Sequence, residues 1–420
     1  MAKDCNEFAA LIGIDWSDTK HDVCVYCCDS QTFDSSVIRH QPEAIEAWAI
    51  GLQQRFGGRP IAVCLEQKRG PLIYALCKYD FLVLFPVNPQ TVAKYRQAFA
   101  PSRAKDAPTD AFVLVELLLK HRDKLQPWYP ASVEVRKLQQ LVEWRRKLVA
   151  ETVRTTNRLT DVLKSYFPQV LEWFEHRDTI VFCDFLSQWS TLEAVQKVSD
   201  QALQQFFIDH KSRYAECNAR RIQQIRQAMP LTTDPAIVEP ALLMVEILVN
   251  YLRNLIASSR RFEQEIRQLF EQMPDADLFA ALPGAGPNLA PRLLLAFGSD
   301  RDRYSSDQDL LQYAGIAPVT ERSGKKQWVH WRWGCPTFLR QTFVEWANES
   351  RKFSFWANAF YQAQKRAGKT HQAAIRALCF KWIRILYRCW QDRKPYDEVK
   401  YLLALKKKGS PLVALLAISD

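Results

Sequence analysis

The chain has 420 residues, of which 48% are hydrophobic and 25% charged, and it carries a net charge of +11. This composition excludes a disordered chain, and the length allows two or three domains with real cores. No leading apolar segment with a cleavage site and no apolar run near twenty residues stands out, so the expected setting is the cytoplasm, in a prokaryote beside the nucleoid.

Residues 8 to 40 read as a meander of three strands. "FAALIGIDW" is an apolar run that carries Asp15 at its end, and "HDVCVYCCD" and "QTFDSSVIRH" follow after short polar turns. "QPEAIEAWAIGLQQRF" has helical spacing, with Pro42 early and Gly57-Gly58 as the stop. "RPIAVCLEQ" is a buried strand ending at Glu66, and "GPLIYALCKYD" is a helix. "FLVLFPVNP" is a strand closed by prolines, and "PQTVAKYRQAFA" is a helix leading into the basic loop "PSRAK". "DAPTDAFVLVELLLKHRDKL" is an amphipathic helix expected to bury Phe112, Val113, Leu117 and Leu118. Three meander strands followed by alternating helices and strands predict an α/β domain with a mixed sheet over residues 1–130.

The rest reads as all-α. Val135, Leu138, Leu141, Val142, Leu148, Leu159, Val162 and Leu163 form a three-four stripe on one long helix. Shorter helices occupy 176–230, and a second long helix places Val245, Leu248, Leu252, Leu255, Phe262, Ile266 and Leu269 on its inner face. The pair suggests a helical hairpin or coiled-coil arm over 131–274, a device that often brings protomers together. A C-terminal domain follows at 275–400, and a tail at 401–420 carries Lys406, Lys407 and Lys408.

Eleven cysteines are scattered along the chain, and Cys24 and Cys27 have no second pair at zinc-site spacing. On an alternating strand these two face opposite sides, so reduced, packed thiols are expected. The charge is placed unevenly. Val319–Lys394 holds 16 Lys and Arg against 4 Asp and Glu, together with seven of the 13 tryptophans. Cations neutralise phosphates, and aromatic faces stack on bases, which points to nucleic acid. Trp328, Arg332 and Arg340 are candidate contacts here, as are Arg103 and Lys105 of the earlier basic loop.

Three motifs carry chemistry. Asp15 and Glu66 close strands, and Asp106 and Asp110 flank Pro108 at the start of a helix. Buried carboxylates that converge need a partner, and Mg²⁺ takes oxygen ligands while leaving positions open for phosphate. Singly, each acid is also an ordinary turn or cap residue, as Asp106 would be at a helix N-cap. "LPGAGPNLAPRLLLAFG" resembles a helix-hairpin-helix, in which Gly284 and Gly286 bring backbone N–H groups to a DNA phosphate. "TERSGKKQWVHWRW" sets Ser323 among Arg322, Lys325 and Lys326, a nucleophile among cations or a simple Ser-Gly turn. His330 is either a proton shuttle or a hydrogen-bonded surface residue.

Taken in order, "IGIDWSDTKHDV", "VCLEQKRG", "NPQTVAKYRQAFAPSRAKDAPTDAFVLVELLLKHR", "LPGAGPNLAPRLLLAFG" and "LLQYAGIAPVTERSGKK" resemble the DEDD transposases of bacterial insertion sequences, the bridge-RNA-guided serine recombinases. The resemblance implies a RuvC-like (RNase H-like) N-terminal domain, a coiled-coil arm and a C-terminal transposase domain. It implies a structured bridge RNA that pairs with donor and target DNA, and a dimer or a tetramer of paired dimers. It also implies Asp15, Glu66 and Asp110 as Mg²⁺ ligands and Ser323 as the nucleophile of a covalent protein–DNA link.

The family pattern Lys-x-Asp-x-x-Asp-Ala, matched on Lys105 and the Asp110-Ala111 pair, puts a further carboxylate at position 107, where this chain has Ala107. Asp106 lies one residue early, a rotation of about 100° on a helix. The expectation is an Asp→Ala change that weakens catalysis, with Asp106 filling in through a distorted helix start as the alternative. A metal-dependent nuclease or Holliday-junction resolvase on the same fold is the competing function, and a silent nucleic-acid binder is the third.

Overall fold

The computed structural model describes residues 7–66, 70–99, 107–212, 214–324, 326–410 and 413. The chain divides into two compact units, Met1–Ser132 and Val133–Asp420.

The first unit is built on a five-stranded sheet in the order β3-β2-β1-β4-β5. Strands β1 (Ala10–Trp16), β2 (Lys20–Cys27) and β3 (Thr32–Arg39) form the expected antiparallel meander, and β4 (Ile61–Leu65) and β5 (Leu82–Pro86) join parallel to β1. Strand alternation sorts the side chains onto two faces. Ala10, Ile12, Ile14, Ile61, Val63 and Leu65 form one core with Ile45 and Leu52 of α1 (Pro42–Arg55) and Leu72 and Leu76 of α2 (Pro71–Leu76). Leu11, Cys24, Ala62, Cys64 and Phe85 form the other core, with Val92 of α3 (Pro89–Phe99) and Leu114, Val115 and Leu118 of α4 (Ala107–His121). Cys24 and Cys27 do fall on opposite faces, and both are free thiols. β3 is an edge strand exposed at every residue but Ile38, and its polar face suits an unpaired edge.

One expectation fails on α4. Phe112 is 38% exposed, while Val113, Leu117 and Leu118 are buried as expected together with Ala111, Leu114 and Val115; the Phe112 ring leans on Phe33 of the edge strand, 5.1 Å away. Helix α4 crosses β1 at Gly13, where a Cβ would lie 2.0 Å from the Ala111 carbonyl oxygen and 2.9 Å from Leu114 Cβ. Backbone cannot yield as a flexible side chain can. Gly13→Ala should therefore lower stability by about 3 kcal/mol, at the upper end for overpacking, read as a lower urea midpoint for the first unit.

Among the described residues, the second unit is helical apart from one hairpin. Helices α5 (Val133–Tyr166) and α11 (Pro235–Glu271) pair along their lengths as the long arms of a hairpin. Between them run α6 (Val170–Trp173), α7 (Ile180–Gln188), α8 (Leu192–Gln196), α9 (Asp200–Asp209) and α10 (Ala215–Gln227). Two separate cores sit on this rod. One joins Leu159, Leu163 and Tyr166 of α5 and Val245–Ile256 of α11 to the aromatic residues of the short helices. The other joins Val135, Leu138 and Val142 to Ile266, Phe270 and the C-terminal helices. By length and composition α11 passes for a membrane-crossing helix, its best 18-residue window having a mean hydropathy of 1.5 and 22% burial, contrary to the expectation of no such run. Val245, Leu248, Val249, Leu252 and Ile256 pack into the core with α5 and the short helices, whereas Leu243, Met244, Ile247 and Tyr251 are exposed.

After the arm come α12 (Ala276–Ala280), α13 (Gly286–Phe297), α14 (Asp307–Tyr313), the hairpin β6 (Val319–Ser323) and β7 (Lys326–His330), and then α15 (Thr337–Ser350), α16 (Phe355–Arg366), α17 (His371–Gln391) and α18 (Glu398–Lys407). Four of the tryptophans in the basic stretch, Trp346, Trp356, Trp382 and Trp390, are fully buried core. Trp328 and Trp333 are 45% and 78% exposed.

Candidate functional site

The carboxylates of the first unit are gathered by strand register. In the parallel pair β1–β4, Ile14 stands beside Leu65, which brings the next residues, Asp15 and Glu66, to the same end of the sheet. Both continue the series that faces α4: Leu11, Gly13, Asp15 on β1 and Ala62, Cys64, Glu66 on β4. Asp22 lies directly across the antiparallel pair from Asp15 and faces the same way as Cys24, so a third acid joins the row. Sequence reading passed over Asp22; the period of two along the meander was the signal for it.

Asp110 sits in the first turn of α4, beside the Ala111 carbonyl that presses on Gly13, and is 4% exposed. Arg96 of α3 donates a hydrogen bond to its carboxylate. No spacing rule would have named Arg96, which comes from a different helix. Burial, and after it the charge of Glu66, push the Cys64 thiol far above its ordinary value. This burial disfavours the Cys64 thiolate. Among the described residues no three His, Cys, Asp or Glu side chains close on one point. Arg103, Lys105 and Asp106 lie outside the described residues, and Ala107 is the first residue of α4, one helical turn before Asp110.

In the second unit, Ser323 ends β6 and pairs with Lys326 across a two-residue turn in which Gly324 takes φ +58°. Glu321, Trp328 and His330 share the face of Ser323, whereas Arg322 points to the opposite face with Gln327 and Val329. Lys326 is thus the described cation beside Ser323, and Lys325 lies outside the described residues. Glu321 accepts hydrogen bonds from Trp328 Nε1 at 2.9 Å and His330 Nε2 at 2.8 Å. His330 stands four residues up the opposite strand from the Ser323 pair, about 13 Å at strand rise, so its partner is Glu321 and not the serine.

The hydrogen bond to Glu321 raises the His330 pKa above 6.5, and the same contact, with that from Trp328, lowers that of Glu321. The ion pair is therefore complete between the two values. It is lost on the alkaline side as His330 deprotonates, and on the acid side as Glu321 protonates. Ring-proton NMR titration should place the His330 midpoint above 6.5, and Glu321→Gln should return it towards that value.

The two glycines of the Gly-rich turn separate in role. A Cβ on Gly284 (φ +72°) would meet the Glu349 and Ser350 backbone at 2.9–3.0 Å, and Trp346 Nε1 donates to Pro283 O at 3.0 Å, so this half of the turn is fastened to α15. Gly286 (φ +54°) opens α13, is exposed and has no atom within 4 Å of a would-be Cβ. Arg332 donates through Nε to Ala317 O, and Arg340 lies over the Trp331 ring.

Two family models match the chain. One, described as transposase, covers residues 12–168, and the other, described as transposase of the IS116/IS110/IS902 family, covers 276–362. A Streptomyces coelicolor protein described as the mini-circle transposase for IS117 is 27% identical over 408 residues, covering 94% of this chain and 96% of the relative. An uncharacterized 43.6 kDa protein of insertion element IS110 from the same organism is 25% identical over 71% of this chain and 73% of its own length. The pilin gene-inverting protein of Moraxella bovis is 28% identical over 35% of this chain and 48% of its own length. The first match falls on the RuvC-like mixed sheet with its row of acids, and the second spans the Gly-rich turn and the Ser323 hairpin; the chain thus carries, in this order, the two transposase domains of the IS110/IS116 type.

Proposed function

We propose that this transposase is an RNA-guided DNA recombinase that joins donor and target DNA through a covalent phosphoserine link. The observation that carries the reading is the register of Asp15 and Glu66 at one sheet end, on the face that holds Asp110. An all-oxygen donor set suits Mg²⁺, which is commonly held by one or two protein carboxylates together with substrate phosphates. Asp15 and Glu66 would hold the ion, with Asp110 beside them. When bound, Mg²⁺ neutralises charge that builds on the phosphate oxygens.

Ser323 supplies the nucleophile. Its Oγ attacks phosphorus; the serine O–P bond forms as the P–O bond to the leaving sugar oxygen breaks, and that oxygen takes up the proton the serine gives away. In the second step a hydroxyl of the other DNA attacks the phosphoserine and restores the serine, so no external energy source is consumed. Lys326, opposite Ser323, is placed to hold the attacked phosphate by charge. The exposed hairpin suits a group that must reach a duplex.

A bridge RNA would select both DNAs by pairing while the protein holds the RNA by shape. Residues 1–130 would act as the RuvC-like domain, 131–274 as the arm, 275–400 as the serine domain and 401–420 as a tail. The working form would be a dimer or a tetramer of paired dimers, acting at the bacterial nucleoid. Ala107 would leave this chain catalytically weakened. The test is recombination of donor and target plasmids in Mg²⁺ with and without the cognate RNA. Joined product that forms equally well without RNA would remove the guidance from the reading.

A further inference from the structure

We propose that Trp331, Arg340 and Arg376 form a seat for one phosphodiester group of a nucleic-acid backbone, reached when the side chains over Trp331 Nε1 and Arg340 Nη1 shift. The three come from different elements: Trp331 follows β7, Arg340 lies in the first turns of α15 and Arg376 near the start of α17. Both guanidinium groups stack on the one indole, Arg376 at 3.7 Å and Arg340 at 5.1 Å from its centroid. Two cations on one ring repel each other. Burial, and then the charge of Arg340, hold the Arg376 guanidinium below its ordinary value. Elsewhere in the unit, comparable arginines have carboxylate partners, Arg292 with Glu345 and Arg301 with Asp275. Among the described residues no ion pair involves Arg340 or Arg376.

The donors are also left over. Trp331 Nε1 and Arg340 Nη1 are buried and make no hydrogen bond within the protein. Buried N–H groups are nearly always satisfied, so two on neighbouring side chains call for a shared acceptor. An anion with several oxygens meets both needs, and a phosphodiester adds the geometry that guanidinium forks favour. Trp333, 78% exposed and 6.3 Å from the Trp331 ring, offers a plane for the adjoining base. Sequence reading had only Arg340 of this trio.

The inference rests on the reading of this unit as a nucleic-acid-handling one, but not on RNA guidance or on Ser323. The test is binding of the full chain to mixed-sequence duplex DNA and, separately, to single-stranded RNA, with no guide present, over a range of salt. R340Q and R376Q are each expected to reduce the slope of log K against log salt by about 0.9 on duplex DNA or about 0.7 on a single strand. The double variant is expected to lose no more slope than either single one, because both cations grip one phosphate. W331F keeps an aromatic face and removes the N–H, and should weaken binding with the slope unchanged. The polymer on which the slope falls identifies the source of the phosphate. Folded variants with the parental slope on both polymers would overturn the proposal and leave two arginines merely packed on a tryptophan. Should the glutamine variants not fold, R340K and R376K keep the charge and lose the fork; several-fold weaker binding at an unchanged slope supports the seat, and parental affinity refutes it. Failure of RNA-dependent recombination would leave the slopes as they are, so the two readings fail separately.

Discussion

Ala107→Asp is expected to raise Mg²⁺-dependent recombination and the yield of covalent protein–DNA adducts by about 100-fold or more over the parent chain. Even outer-shell partners of a metal cost 10–100-fold when removed, and a direct ligand matters at least as much. The substitution also has a readout that needs no catalysis. A carboxylate one turn before Asp110 adds negative charge to an end of the fold that already holds Asp15, Asp22 and Glu66. Without metal, A107D should therefore melt below the parent. With Mg²⁺ at about 100 times its dissociation constant it should regain about 2.7 kcal/mol, a gain the parent shows only at higher Mg²⁺. Equal activity and equal Mg²⁺ response in the two proteins would mean that position 107 is not a ligand position.

Ser323→Ala is expected to abolish the adducts, with recombination falling by at least about 10⁴-fold, the scale on which loss of a serine nucleophile is felt. RNA and DNA binding should persist, since Ser323 is exposed at a hairpin tip and the neighbouring cations remain. Denaturing gels of protein with labelled DNA give the adduct directly. The same variant separates the competing function: a nuclease working from Asp15 and Glu66 alone would go on cutting without the serine. Persistence of cleavage would keep the fold and the carboxylates and discard the phosphoserine.

Much of this architecture was legible because period-two alternation is a strong signal where a sheet is covered on both faces. The apolar runs of β1 and β4 located their terminal acids, and the register that unites Asp15 with Glu66 follows once the strands lie side by side. Long helices declared themselves through their three-four stripes. What stayed hidden depends on approach between distant segments. Phe112 looked like core by spacing, but α4 is rotated by its tight seat on Gly13, and the phenylalanine turns out towards Phe33. Gly284 looked like a phosphate-binding residue and is half-committed to the backbone of α15. Arg322 neighbours Ser323 in sequence, yet adjacent residues on a strand look away from each other. Composition alone could not divide the tryptophans of the basic stretch into four that fill a core and others that reach the surface.

The two cores on the α5–α11 hairpin give the molecule a ruler. Helix α5 has 34 residues, about 50 Å of rod, and its apolar contacts are concentrated towards the two ends. A change in the length of the middle alters both the span and the angle at which the far end is presented. Seven residues removed from each long helix shorten the span by about 10 Å and turn the tip by only about 20°. Two removed from each shorten it by about 3 Å but turn the tip by about 200°. Length variants of this rod that keep the tip facing the same way are thus restricted to steps close to whole helical turns, such as about seven, eleven or eighteen residues, whatever the tip meets.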